Sequence, residues 1–161
     1  MRHASRDFMS VAPPDEPSPA AEPAPPQPRV LIVEDDSMVA TYVADVLAEA
    51  GFEVAGVAAT ASEAFTLAAE RPCALALVDI RLPGPRDGIE IAGELRRRFG
   101  IGAIFLSGTS DPDHVARAKR VSPYGFLQKP FLPSQMFKAL EQALKQRRAE
   151  RGEEPSRPGP R

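Results

Sequence analysis

At 161 residues, 43% hydrophobic and a formal net charge of -2, the chain suits one domain with appendages, and its charge gives no reason to expect a nucleic-acid or anionic-membrane partner. A single cysteine, Cys73, excludes an intramolecular disulfide and a cysteine-based zinc site, and it fits a reducing cytoplasm. No apolar run approaches the roughly 20 residues that span a bilayer, and the N-terminus lacks the apolar core of a secretory signal.

Residues 1–28 carry eight prolines between Pro13 and Pro28, interleaved with Ala, Ser and acids. Too few large apolar groups are present to offset ordering entropy, so this segment reads as a disordered leader. Order begins at Arg29-Val30-Leu31-Ile32-Val33, an apolar run ending on Glu34-Asp35-Asp36. Ser37 opens a helical pattern with Val39, Val43, Val46, Leu47 and Ala50 on one stripe, and Gly51 stops it. Phe52 to Val57 alternates as a second strand, and Thr60 or Ser62 caps a helix bearing Ala64, Leu67 and Ala68 that Arg71-Pro72 ends. Ala74 to Val78 has almost no polar side chain and stops on Asp79, the pattern of a strand covered on both faces. Ile80 to Gly88, with two prolines and two glycines, is a loop.

Gly88 to Phe99 is helical, with Ile89, Ala92, Leu95 and Phe99 inward and Arg96-Arg97-Arg98 as a solvated helix end near the negative dipole. Gly102 to Leu106 makes a fourth strand, ending on Ser107-Gly108-Thr109. Asp111-Pro112 starts a helix to about Arg120, with proline suited to the first turn. Tyr124 to Gln128 is the fifth strand, followed at once by Lys129-Pro130. Pro133 and Ser134 open a last amphipathic helix with Met136, Leu140 and Leu144 four apart. The ordered domain is read as 29–148, and 149–161 as a disordered charged tail. Alternating strands and helices without a hairpin signal imply a parallel sheet with helices on both faces.

Four of the five strands release a useful group at one end: Glu34, Asp35 and Asp36 from the first, Asp79 from the third, Ser107 from the fourth and Lys129 from the fifth. In a parallel sheet all carboxyl ends share one edge, where ligands bind, so these groups converge. Carboxylates gathered in one pocket repel, so one takes up a proton or a cation enters. A small hard cation with oxygen ligands, Mg²⁺, is the natural partner. Neither His3 nor His114 lies near this edge, which disfavours zinc. Lys129 supplies a point charge for phosphate oxygens and Ser107 a hydroxyl donor. A carboxylate nucleophile, Mg²⁺, a lysine and a hydroxyl are the parts for phosphoryl transfer to an aspartate. The glycine-rich phosphate loops GxxxxGK[ST] and GxGxxG are absent from the sequence.

The motifs Val30-Leu31-Ile32-Val33-Glu34-Asp35-Asp36, Leu77-Val78-Asp79-Ile80-Arg81-Leu82-Pro83, Phe105-Leu106-Ser107-Gly108 and Phe126-Leu127-Gln128-Lys129-Pro130-Phe131 fall in the order and spacing of a known family. Over residues 29–148 the chain resembles the receiver domains of bacterial two-component response regulators. That resemblance implies a flavodoxin-like (βα)₅ α/β fold with strand order 2-1-3-4-5. It implies a cytoplasmic phosphoprotein whose Asp79 accepts a phosphoryl group from a histidine kinase or histidine phosphotransfer protein. It further implies that Asp35, Asp79 and the backbone carbonyl of Arg81 bind Mg²⁺, with Glu34 acting through water. Asp36 falls outside the acidic pair and begins the helix cap. Ser107 matches the switch hydroxyl, Phe126 the switch aromatic, and Gly108 a small position that leaves room for the phosphoryl donor. Ser107, Gly108 and Lys129 would contact the phosphoryl group. The positions tuning self-dephosphorylation are Arg81 and Thr109; a long cationic Arg81 would lie over the phosphoryl group and exclude water.

Two departures stand out. The loop from Asp79 to Asp87-Gly88 is one residue longer than the family's usual form, and Phe126 lacks a tyrosine's hydroxyl, so any aromatic switching is by packing alone. A small phosphatase of the haloacid-dehalogenase type is the rival, but it needs an acid two residues after the nucleophile, where this chain has Arg81. The chain is not expected to act as an enzyme beyond Mg²⁺-dependent self-phosphorylation and self-dephosphorylation. The fewer than twenty residues after the last helix are too few for a DNA-binding output domain. The expectation is therefore a stand-alone receiver signalling to a protein target or a second copy through its fourth helix, fifth strand and fifth helix. The alternative is a receiver fragment of a larger regulator or hybrid kinase.

Overall fold

Alternate residues of a strand leave on opposite faces, and here the two sets are covered by different helices. The computed structural model describes residues 28–108 and 111–152. Its strands are β1 (Arg29–Val33), β2 (Glu53–Ala58), β3 (Leu75–Asp79), β4 (Gly102–Ser107) and β5 (Gly125–Gln128). They form one parallel sheet in the order β2-β1-β3-β4-β5. Helices α1 (Ser37–Glu49), α2 (Ala61–Glu70), α3 (Gly88–Phe99), α4 (Pro112–Lys119) and α5 (Pro133–Glu150) connect and follow them. Val30, Ile32, Leu75, Leu77, Ile104 and Leu106 face α1 and α5. Leu31, Val33, Ala76, Val78, Ala103 and Phe105 face α2, α3 and α4. The chain winds outward from β1 in one direction and from β3 in the other. The crevice of this fold therefore opens between the carboxyl ends of β1 and β3.

Side chains cap the helices as their residue types suggest. Asp36 caps α1, Thr60 caps α2, Asp87 caps α3 and Asp111 caps α4. Thr60 accepts from Glu63 N at 3.2 Å while the Glu63 carboxylate reaches back to Ala59 N at 2.8 Å. At the start of α5, Pro133 needs no amide partner and Gln135 accepts from Leu132 N at 2.7 Å.

Several features differ from the sequence reading. Ala40 is buried on α1 while Val39 and Ala50 are half-buried, and Ala143 takes the place expected of Leu144 on α5. A strict spacing of four drifts round a helix by about 40° per step, so Leu144 packs only partly against the core and Ala143 is the fully covered residue. Helix α5 also runs to Glu150, past the boundary at 148, because that carboxylate is held. Tyr124 donates to it at 2.7 Å, and Arg96 of α3 pairs with it at 3.1 Å. Arg96 is thus a tie between helices, its guanidinium 5.3 Å from the Tyr124 ring centre, and not part of a solvated helix end. Pro28, just before β1, also ties to β2, its carbonyl accepting from Glu53 N at 3.3 Å. The rest of the leader lies outside the described residues, as do residues 153–161. Among the described residues no helix is long and apolar enough to cross a membrane.

Candidate functional site

Of the groups expected to converge, Glu34, Asp35, Asp79 and Lys129 come together where β1, β3 and β5 end, with Ser107 at the end of β4, and Asp36 does not join them. Glu34 continues the β1 ladder, donating its N–H to Ala58 O at 2.9 Å, and its side chain is almost fully buried. Asp35 is exposed, and Asp36 turns away to cap α1, accepting from Met38 N at 2.9 Å and Val39 N at 3.3 Å. Asp79 ends β3, buried, with Oδ1 accepting from Arg81 N at 3.1 Å. One oxygen each of Glu34, Asp35 and Asp79 lies within 4.8 Å of the others.

Lys129 enters from the end of β5, where its N–H donates to Ser107 O at 2.8 Å and so fixes the start of its side chain. Its Nζ donates to Glu34 Oε2 at 2.9 Å and to Asp79 Oδ2 at 3.2 Å. Burial pushes the Glu34 carboxyl above the ordinary range; the Lys129 hydrogen bond opposes this and the charge of Asp79 adds to it. For Lys129, burial pulls down, but the hydrogen bond to Glu34 and the charge of Asp79 outweigh it, and the ammonium is held above its usual value. One cation among three carboxylates leaves an excess of negative charge with exposed Asp35 at its open side. Such a donor set, all oxygen and part-exposed, fits a hard divalent cation that keeps waters.

A glycine sets the shape beside Asp79. A Cβ on Gly88 would run into the Asp79 carbonyl oxygen, and Gly88 N donates to Ile80 O at 3.0 Å. The loop between β3 and α3 therefore closes tightly on the strand that carries Asp79. Ser107 is buried at the end of β4, and Gly108 beside it is exposed, with open space where a Cβ would stand. Arg81 is exposed next to the site. Thr109 lies outside the described residues. Phe126 is 40% exposed on β5, its ring centre 5.8 Å from that of buried Phe105.

Sequence reasoning missed an apolar groove of ≈ 460 Å³ that runs from Lys129 along α1, lined by Met38, Val39, Tyr42, Pro130 and Phe131. Met38 is 81% exposed, and Tyr42 donates its hydroxyl to Phe131 O at 3.2 Å. The available signal was Met38 and Tyr42 one turn apart, opposite the buried stripe.

Comparison with known proteins gives a consistent result. The family model described as response regulator receiver domain matches residues 30–141. The transcriptional regulatory protein PdtaR of Mycobacterium tuberculosis is 34% identical over 116 residues, covering 72% of this chain and 56% of that protein. The phyllosphere-induced regulator PhyR of Methylorubrum extorquens is 32% identical over 118 residues, covering 72% and 43%. The chain thus spans about half the length of the curated relatives it matches. Among solved structures, the signal receiver domain of a modulated diguanylate cyclase from Desulfovibrio desulfuricans aligns with TM-score 0.73 and 35% identity, covering 77% of this chain and 98% of that one. A CheY-like receiver domain from Methanospirillum hungatei aligns with TM-score 0.70 and 26% identity over the same shares.

Proposed function

Because the chain belongs to the response regulator receiver family, we propose that it is the phosphoacceptor of a two-component phosphorelay and that Asp79 is the residue modified. The observation that carries this reading is the Lys129 ammonium shared between Glu34 and Asp79, with Asp35 at the open side. An Asp79 carboxylate oxygen attacks the phosphorus of a phosphohistidine; the P–N bond breaks and the imidazole leaves. Lys129 already lies against the nucleophile, so it can exchange a carboxylate oxygen for a phosphoryl oxygen without a long movement. The Ser107 hydroxyl donates to another phosphoryl oxygen, and the bare Gly108 leaves the donor room to approach. Asp35, Asp79 and the Arg81 carbonyl would hold Mg²⁺, with Glu34 acting through water, and the ion would neutralise charge on the transferred group.

The phosphoryl donor is a histidine kinase or phosphotransfer protein, and the Met38–Tyr42–Phe131 groove beside Lys129 is the surface we assign to its docking. Output is by protein contact, to a target or a second copy, through α4, β5 and α5. Exposed Arg81 is the residue that would shield the phosphoryl group from water. Incubation with Mg²⁺ and acetyl phosphate tests the assignment: the wild type gains one acid-stable, base-labile phosphoryl group, and Asp79→Asn gains none while unfolding at the same urea concentration. Stoichiometric labelling of that variant would overturn the choice of Asp79.

A further inference from the structure

Helix α4 is lightly anchored. Ala118 is its one buried side chain, and Val115 and His114 are half-buried. Its neighbour α3, in contrast, starts against the phosphoacceptor strand, because Gly88 is pressed on the Asp79 carbonyl and bonded to Ile80 O. Asp87, one residue earlier, uses Oδ1 to cap α3 by accepting from Glu90 N at 2.9 Å. Its second oxygen, Oδ2, meets Arg117 of α4 at 2.9 Å, and the same guanidinium lies 3.9 Å from Glu90. One arginine therefore joins the loosely packed helix to the residue directly before Gly88, the glycine pressed on the Asp79 carbonyl.

We propose that Arg117 is a positioning residue whose ion pair with Asp87 latches α4 to the α3 cap and holds the α4–β5–α5 face in its resting arrangement. The inference rests on the phosphoacceptor reading for its consequence: rearrangement of that face on phosphorylation must first release the latch. An ion pair that is half exposed on both sides is weak, and that suits a latch. It biases a helix with little buried surface, where it would hardly affect one with a full apolar stripe. Labelling proceeds from the active arrangement, so breaking the latch raises the population of the form that reacts and with it the labelling rate.

The test compares wild type, Arg117→Gln and Arg117→Lys in two readouts: labelling of Asp79 by acetyl phosphate with Mg²⁺, and amide hydrogen exchange over residues 112–119 of unmodified protein. Arg117→Gln is expected to label about two- to fivefold faster and to exchange faster in α4 by a similar factor, the range an exposed ion pair commands. Arg117→Lys keeps a cation, and because Asp87 uses a single oxygen toward Arg117 it restores both values. A Gln variant that labels at the wild-type rate or slower overturns the latch. A wild type that takes no label overturns the phosphoacceptor reading instead. In that case exchange decides: faster α4 exchange in the Gln variant alone upholds the tether, and unchanged exchange removes it.

Discussion

Lys129 sets the charge balance of the site, and removing it leaves Glu34 buried against Asp79 without the ammonium that pairs with both. Glu34 is already held above the ordinary carboxylate range, chiefly by burial. A raised carboxyl favours the folded state below its unfolded pKa, and that support is lost as pH climbs through the folded value. Lys129→Met should push Glu34 further up, so its loss of about 2 kcal/mol at neutral pH should shrink toward pH ~3.3, about a unit below the unfolded value of ~4.3, where Glu34 carries a proton in both states. Urea unfolding at the two pH values measures this, and a loss independent of pH would contradict it. Lys129 itself is shifted upward, so its own support persists through neutral pH and goes only above its unfolded value near ~10.4. The neighbouring acids separate by the work they do. Asp35→Ala should weaken Mg²⁺ binding severely and leave stability nearly unchanged. Asp36→Ala should retain Mg²⁺ and cost about 1 kcal/mol, because it removes the cap on Met38 N and Val39 N. Metal titration followed by NMR, alongside urea unfolding, separates the pair; equal losses of metal affinity would mean the acidic cluster is out of register.

At the scale of elements, the ends of β3 and β4 each lie against a glycine, for different reasons. Gly88→Ala forces a Cβ onto the Asp79 carbonyl, so the start of α3 or the end of β3 must shift, at about 1–3 kcal/mol. Gly108→Ala meets nothing inside the protein and should leave stability within about 0.5 kcal/mol. It should nevertheless slow labelling by acetyl phosphate, since the added methyl occupies the approach of the donor. Thermal unfolding and labelling rates, measured on both variants, test the two halves together; an unstable Gly108→Ala would show that its role is structural.

Across the whole molecule, the site lies at one edge of the sheet and the proposed output face beside it, joined through β4 and β5. Ser107 pairs in register with Gln128, and Phe105, two residues earlier, with Phe126, whose partly exposed ring lies tilted against it. Drawing the Ser107 hydroxyl toward a phosphoryl group disturbs the strand end against which Phe126 must repack. Phosphorylation should therefore move amide signals of residues 112–138 more than those of α2, which packs on β2 and β1, across the sheet from β5. Two-dimensional NMR of the protein with and without beryllofluoride reads this directly, and larger shifts in α2 would refute the mechanism.

The fold and the composition of the site were legible in the chain because both rest on local signals. Apolar runs such as Leu75–Val78 make strands wherever they sit, and a parallel sheet aligns all their carboxyl ends, so Asp79, Lys129 and the acids after β1 had to meet. Capping is equally local, which is why Asp36 separated itself from Glu34 and Asp35. Long-range pairing is not local. That Lys129 divides itself between Glu34 and Asp79, that Glu150 extends α5 by meeting Tyr124 and Arg96, and that Arg117 reaches Asp87 depend on partners up to 95 residues apart. No periodicity encodes such contacts, because two charged side chains on helix surfaces look solvated until packing of the apolar faces brings their helices side by side. Gly88 belongs to the same class: as a residue it reads as loop punctuation, and only the approach of α3 to the β3 carbonyl makes the missing side chain a requirement.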